Sequence, residues 1–172
     1  MRRCVSPNAR GGRRVNNGKI VAGAIVVIGV VAGIAMYWLQ VYAFYTPAVF
    51  EAGKEIRLTL IEGGQPEPIL ANGITGIDAA SSPLRFRACF TTPLTQAMLT
   101  ENYKVYDKPI PLNGPSWFDC YDAAKIGDAL ERGDAIAFLS EANIAPQIDR
   151  VVAVFPDGRA YAWHQISPDA EQ

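Results

Sequence analysis

Residues 20–42 form an apolar run, IVAGAIVVIGVVAGIAMYWLQVY, that contains no charged side chain. At about 1.5 Å per residue, a helix of this length covers the roughly 30 Å hydrocarbon core of a bilayer. Nothing else in the chain constrains the fold as strongly. It predicts a basic cytoplasmic tail over residues 1–19, a transmembrane helix over 20–42 and one exported soluble domain over 46–172. The charges are distributed to match: Arg2, Arg3, Arg10, Arg13, Arg14 and Lys19 precede the run with no acid among them, whereas residues 51–172 carry all 17 acidic groups and a net charge of −7. Basic flanks stay inside, so the N-terminus is expected in the cytoplasm and the domain on the far side of the membrane. An acidic exported domain argues against a nucleic-acid partner.

A secretory signal also combines a basic start with an apolar run, and Val41-Tyr42-Ala43 is an acceptable cleavage pattern. Signal cores are shorter, about 7–15 residues, and the outer end of this run carries Tyr37, Trp38, Tyr42, Phe44 and Tyr45, rings suited to a membrane interface. These features favour an uncleaved anchor over cleavage after Ala43. Residues 1–16 lack apolar periodicity and are expected to be disordered. They read equally well as a basic tail or as an upstream extension of a protein that starts at Val15, in which case Cys4 is not translated. Within the span, Gly29 and Gly33 form a G-x-x-x-G pair that would let a second helix approach closely, although such pairs also occur in monomeric anchors.

The exported part reads as α+β. Proline at 47 ends the helical segment. Ile56, Leu58 and Leu60 alternate with Arg57 and Thr59 as in a half-buried strand, residues 63–68 form a turn, and 69–77 form a short irregular strand. Leu84, Phe86, Ala88 and Phe90 share one face of a further strand, with Arg85, Arg87 and Cys89 on the other. A helix is predicted over 93–103, capped by Thr92. After a proline-rich loop comes a second helix ending at Arg132, capped by Asp119 or Asp122 and closed by Gly133. A strand over 135–139 follows, and 151–155 and 160–164 form a hairpin around Pro156-Asp157-Gly158-Arg159. This order predicts a mainly antiparallel sheet with about two helices.

The blocks GKIVAGAIVV, AMYWLQVYAFY, SSPLRFRACF, PSWFDCYDA and DGRAYAWHQ together resemble an uncharacterised family of short single-span bacterial inner-membrane proteins. The resemblance runs from about Gly18 to Gln165 and implies a periplasmic domain, with no activity, cofactor or site to carry over. Members are sometimes labelled histidine kinases, but this chain has no room for an ATP-binding domain and its single histidine, His164, lies in a strand pattern.

Cys89 and Cys120 are the only cysteines of the exported part, and an oxidising compartment predicts a disulfide between them, with two separate buried thiols as the alternative. Cys89, Cys120, His164 and Met98 also have the soft donors of a copper site, although no spacing motif gathers them. No nucleophile triad, phosphate loop or zinc pattern is present, so no catalytic residue, metal ligand or cofactor is assigned. Trp117, Tyr121, Trp163 and His164 are the candidate binding surface. The chain therefore reads as a non-enzymatic, membrane-anchored accessory protein that binds another envelope protein. The alternative is a tethered module for a small molecule or for copper.

Overall fold

The computed structural model describes residues 17–50 and 56–168. The basic stretch 1–16, with Cys4 and Val15, lies outside them. The chain divides into two compact units, Met1–Trp38 and Leu39–Gln172.

Among the described residues the first unit holds a helix, α1 (Asn17–Trp38), which is exposed from Gly18 onward. Helical geometry continues to Ala43, so that Gly18–Ala43 is long and apolar enough to cross a membrane. No described atom lies within 4 Å of the position a Cβ would take at Gly29 or Gly33, so this face is open.

The second unit begins with a π-turn, Leu39–Ala43, followed by β1 (Thr46–Pro47), β2 (Arg57–Thr59), β3 (Pro66–Pro68) and β4 (Asn72–Asp78). A 3₁₀ turn (Pro83–Arg85) leads into β5 (Arg87–Thr91), α2 (Gln96–Asn102) and α3 (Ala123–Arg132). Strands β6 (Ile136–Ala145), β7 (Ile148–Val154) and β8 (Arg159–Ile166) close the chain. Six strands form one antiparallel sheet in the order β1-β4-β5-β8-β7-β6, and β2 and β3 pair separately. The α+β expectation is met.

Local chemistry accounts for the element ends. Asp122 caps α3 by accepting from the Lys125 amide, and Gly133 closes it in the left-handed region at φ 75°. The turn between β7 and β8 uses Gly158 at φ 85°, where a Cβ would meet the Thr92 carbonyl oxygen at 2.7 Å. Helix α2 starts later than the proline rhythm suggested. Thr95, not Thr92, supplies the cap, while the Thr92 hydroxyl accepts from the Leu94 amide in the preceding turn.

The sheet is covered on both faces, which the alternating patterns did not disclose. Phe86, Ala88, Phe90, Val152, Val154, Ala160 and Ala162 pack on one side with Ile56 and Leu58 of the β2 segment and Leu99 of α2. Cys89, Val151, Ala153 and Trp163 pack on the other with Ile126 of α3 and Tyr121. Two assignments change as a result. Thr59, read as the polar side of a half-buried strand, is buried, and Arg87, placed on the Cys89 face, is buried with its charge. Thr59 is held there by donating to the Ser140 carbonyl at 2.7 Å. Leu84 and Arg85 leave the strand because Pro83 opens a 3₁₀ turn, capped by the Ser82 hydroxyl.

Candidate functional site

The four residues singled out as a binding surface do not form one. Trp163 is 0% exposed and belongs to the core, where its indole N–H donates to Gln165 Oε1 at 3.0 Å. Tyr121 is buried with its ring edge-on to Tyr161, and burial raises the pKa of its hydroxyl. His164 is 4% exposed. A sheet covered on both faces leaves no open side on which Trp163 and His164 could be presented. Trp117 alone reaches the surface, at 37% exposure. It donates to the Val41 carbonyl at 2.7 Å, a carbonyl in the π-turn, and packs against Tyr42 and Tyr45.

Cys89 and Cys120 are joined in a disulfide with their Cα atoms 6.3 Å apart. The partner comes from the segment covering the Cys89 face, as the strand parity required. Arg87, two residues earlier on that face, is 3% exposed and has carbonyls as its partners. Its guanidinium donates to Leu112 O at 2.8 Å, Asn113 O at 3.0 Å and Leu84 O at 2.8 Å. It also lies 5.6 Å from the Tyr121 ring centroid, and desolvation lowers its pKa. Strand β5 therefore holds the proline-rich loop at two points, one a covalent bond and one a pair of charge-assisted hydrogen bonds to backbone carbonyls.

A different cluster has the features of a binding site. Arg150 of β7 lies in register with Glu141 of β6 on one side and His164 of β8 on the other. Its Nε donates to His164 Nε2 at 3.0 Å, Nη1 reaches Glu141 Oε1 at 3.4 Å, and the guanidinium stacks 4.5 Å from the Phe86 ring centroid. Because Nε2 accepts, the histidine proton sits on Nδ1 and donates to the Pro83 carbonyl at 2.6 Å. Arg150 also lines two surface cavities of about 500 Å³ and about 530 Å³, shared with Thr46 and Asp78. Arg57 enters the first of these, and no described residue forms a hydrogen bond or ion pair with its guanidinium. Of this cluster the sequence reading singled out only His164; Arg57, Glu141 and Arg150 escaped it. The signal for them was a charge inside each of two apolar strands, Arg57 between Ile56 and Leu58 and Arg150 before Val151.

Burial, aided by the neighbouring Arg150 and Arg87 charges, pulls the His164 pKa down to about 3. A folded-state value below the unfolded one, about 6.5, means that the unfolded chain takes up a proton first as pH falls. Stability is therefore complete above pH 6.5 and is lost progressively between about 6.5 and 3. Lowering the pH from 7 to 5 is expected to remove about 2 kcal/mol, read as a fall in the urea midpoint. A His164→Gln variant should lack that loss between pH 7 and 5, whatever its absolute stability.

Among the described residues no three His, Cys, Asp or Glu side chains gather as a metal site, and the sulfurs of Cys89 and Cys120 are engaged with each other. A family model described as a family of unknown function, DUF6446, matches residues 56–172. The chain belongs to the DUF6446 family. The match begins at Ile56, so it takes in β2 through β8, the disulfide and the Arg57–Arg150 cluster, and leaves α1, the π-turn and β1 outside. No curated protein and no solved structure is matched by the chain.

Proposed function

We propose that this DUF6446 member is a single-span accessory protein of the bacterial inner membrane, with its N-terminus in the cytoplasm and its C-terminal domain in the periplasm. The domain binds an acidic segment of another envelope protein in the Arg57–Arg150 cleft. The observation that carries the reading is a cavity of about 500 Å³ that Arg57 lines beside Arg150, with Asp78 and Glu141 on its wall and no hydrogen bond or ion pair to the Arg57 guanidinium from any described residue. A carboxylate there would gain charge-assisted hydrogen bonds from an otherwise idle donor. A catalytic role has less support. The only histidine of the chain uses both ring nitrogens in hydrogen bonds and stays neutral, and the exported cysteines form a structural bond. The same engagement weakens the copper alternative, because it removes both thiolates while the bond is intact.

The test is affinity purification of the full chain in mild detergent with mass spectrometry, alongside Arg57→Glu. Arg57 makes no described hydrogen bond or ion pair through its guanidinium, so the variant should fold normally. A partner recovered with the native chain should fall about tenfold or more with the variant, the effect of one charged hydrogen bond. Equal recovery with both would sink the cleft reading. The topology is tested separately with a reporter, active only outside the cytoplasm, fused after Gln172. It should be active and stay with the membrane after a carbonate wash, whereas a soluble product beginning at Phe44 would reveal a cleaved signal.

A further inference from the structure

Two segments of the second unit, the 3₁₀ turn Pro83–Arg85 and the loop 108–118, make the same pair of contacts. Each touches the residues that end or directly follow the apolar run. The Arg85 guanidinium carbon lies 5.8 Å from the Phe44 ring centroid and 5.5 Å from that of Tyr45. Trp117 donates to Val41 O and packs on Tyr42 and Tyr45. Each segment also walls an apolar groove of about 250 Å³, with Leu84 from the turn, Ile110 and Leu112 from the loop, and Ile166 of β8 opposite. Ile110 is 61% exposed and Ile166 52%, an unfavourable display of aliphatic surface to water. The groove carries Lys108, and no described residue hydrogen-bonds the buried Nη1 of Arg85.

Exposed aliphatics, amphipathic rings and cations within one face match the chemistry of a lipid headgroup layer, where rings settle at the interface and cations meet phosphates. The residues these segments contact belong to the end of the apolar run or follow it directly in the chain, Val41 and Tyr42 within Gly18–Ala43 and Phe44 and Tyr45 immediately after it. We propose that this face of the domain rests in the headgroup layer. Ile110 and Ile166 reach the acyl boundary, and Arg85 and Lys108 face lipid phosphates. The inference rests on the anchor reading above and extends it from the helix to the folded domain.

The experiment uses the full chain in lipid nanodiscs with Cys4→Ser, so that a single introduced cysteine is the only free thiol. Spin labels are placed through Ile110→Cys, Ile166→Cys, Met98→Cys and Ile28→Cys in separate samples. Labels at 110 and 166 should relax more with oxygen than with a water-soluble nickel chelate, and the label at 98, on a helix that makes none of these contacts, should show the reverse. In discs containing phosphatidylglycerol the label at 110 should lie deeper than in pure phosphatidylcholine, and Arg85→Gln should remove that difference. If 110 and 166 are as accessible to nickel as 98 while 28 lies in hydrocarbon, the interfacial face is refuted and the anchor stands. If 28 is itself in water, the anchor reading fails as well. Insensitivity of the label at 110 to phosphatidylglycerol would overturn the assignment of Arg85 to lipid phosphate.

Discussion

Cys89→Ala, Cys120→Ala and the double variant are each expected to lose about 3–4 kcal/mol of stability relative to the oxidised native chain. The bond closes a loop with a sequence separation of 31, and restricting a loop of that size in the unfolded chain accounts for the magnitude. The loop contains all of α2 and the proline-rich segment, so its closure ties elements from both faces of the sheet to β5. Because each single change already removes the whole crosslink, the double change should cost little more than either. Equilibrium urea unfolding, with and without reductant, measures this. Reductant should shift the native midpoint and leave the variants unmoved. Free thiol reactivity of the native, unreduced protein at both positions would show that the bond is not made.

Arg87→Met is expected to cost about 3 kcal/mol and to loosen the loop from Pro109 to Tyr121. Two effects oppose one another here. Removing a buried charge that has no carboxylate partner relieves a desolvation cost. Against that, Leu84, Leu112 and Asn113 lose charged donors to their carbonyls, each such bond having a net value of about 1.5–3 kcal/mol. Several bonds lost together outweigh the relief. Arg87→Lys should fall between the two, because a single ammonium cannot reproduce the planar fork that reaches Leu112 and Asn113 together. Hydrogen exchange should locate the damage, with faster exchange in the loop than in β7 and β8. A methionine variant as stable as the native chain, with unchanged exchange in the loop, would disprove this account.

Much of the architecture was legible because it rests on short-range chemistry. The apolar run is continuous in sequence. Asp122 and Gly133 bracket α3 through contacts within a single turn of helix, and Pro156-Asp157-Gly158 supplies a turn that its own backbone preferences dictate. The disulfide was legible for a related reason. Strand alternation put Cys89 on the face away from Phe86 and Phe90, and the segment crossing that face carries Cys120.

What the pattern could not reveal is how many faces of the sheet are covered. A period of two separates the sides of a strand but carries no information about what packs on the second side, so Trp163 and His164 read as display residues although α3 and the loop close over one and Phe86 stacks on the other. The charged cleft was equally hidden. Arg57 and Arg150 come to line one cavity only because β2 packs against the middle of β6, where the Ser140 hydroxyl donates to the Arg57 carbonyl and the Thr59 hydroxyl donates to the Ser140 carbonyl. The sequence by itself determined the apolar helix, the Gly133 end of α3, the β7–β8 turn and the cysteine pairing, all governed by hydropathy, local dihedral preference or strand parity, while its two candidates for the α3 N-cap were resolved to Asp122 by the structure. Only the tertiary structure decided which charges are buried and which are left facing a cavity, because that depends on the desolvation and register of strands far apart in the chain.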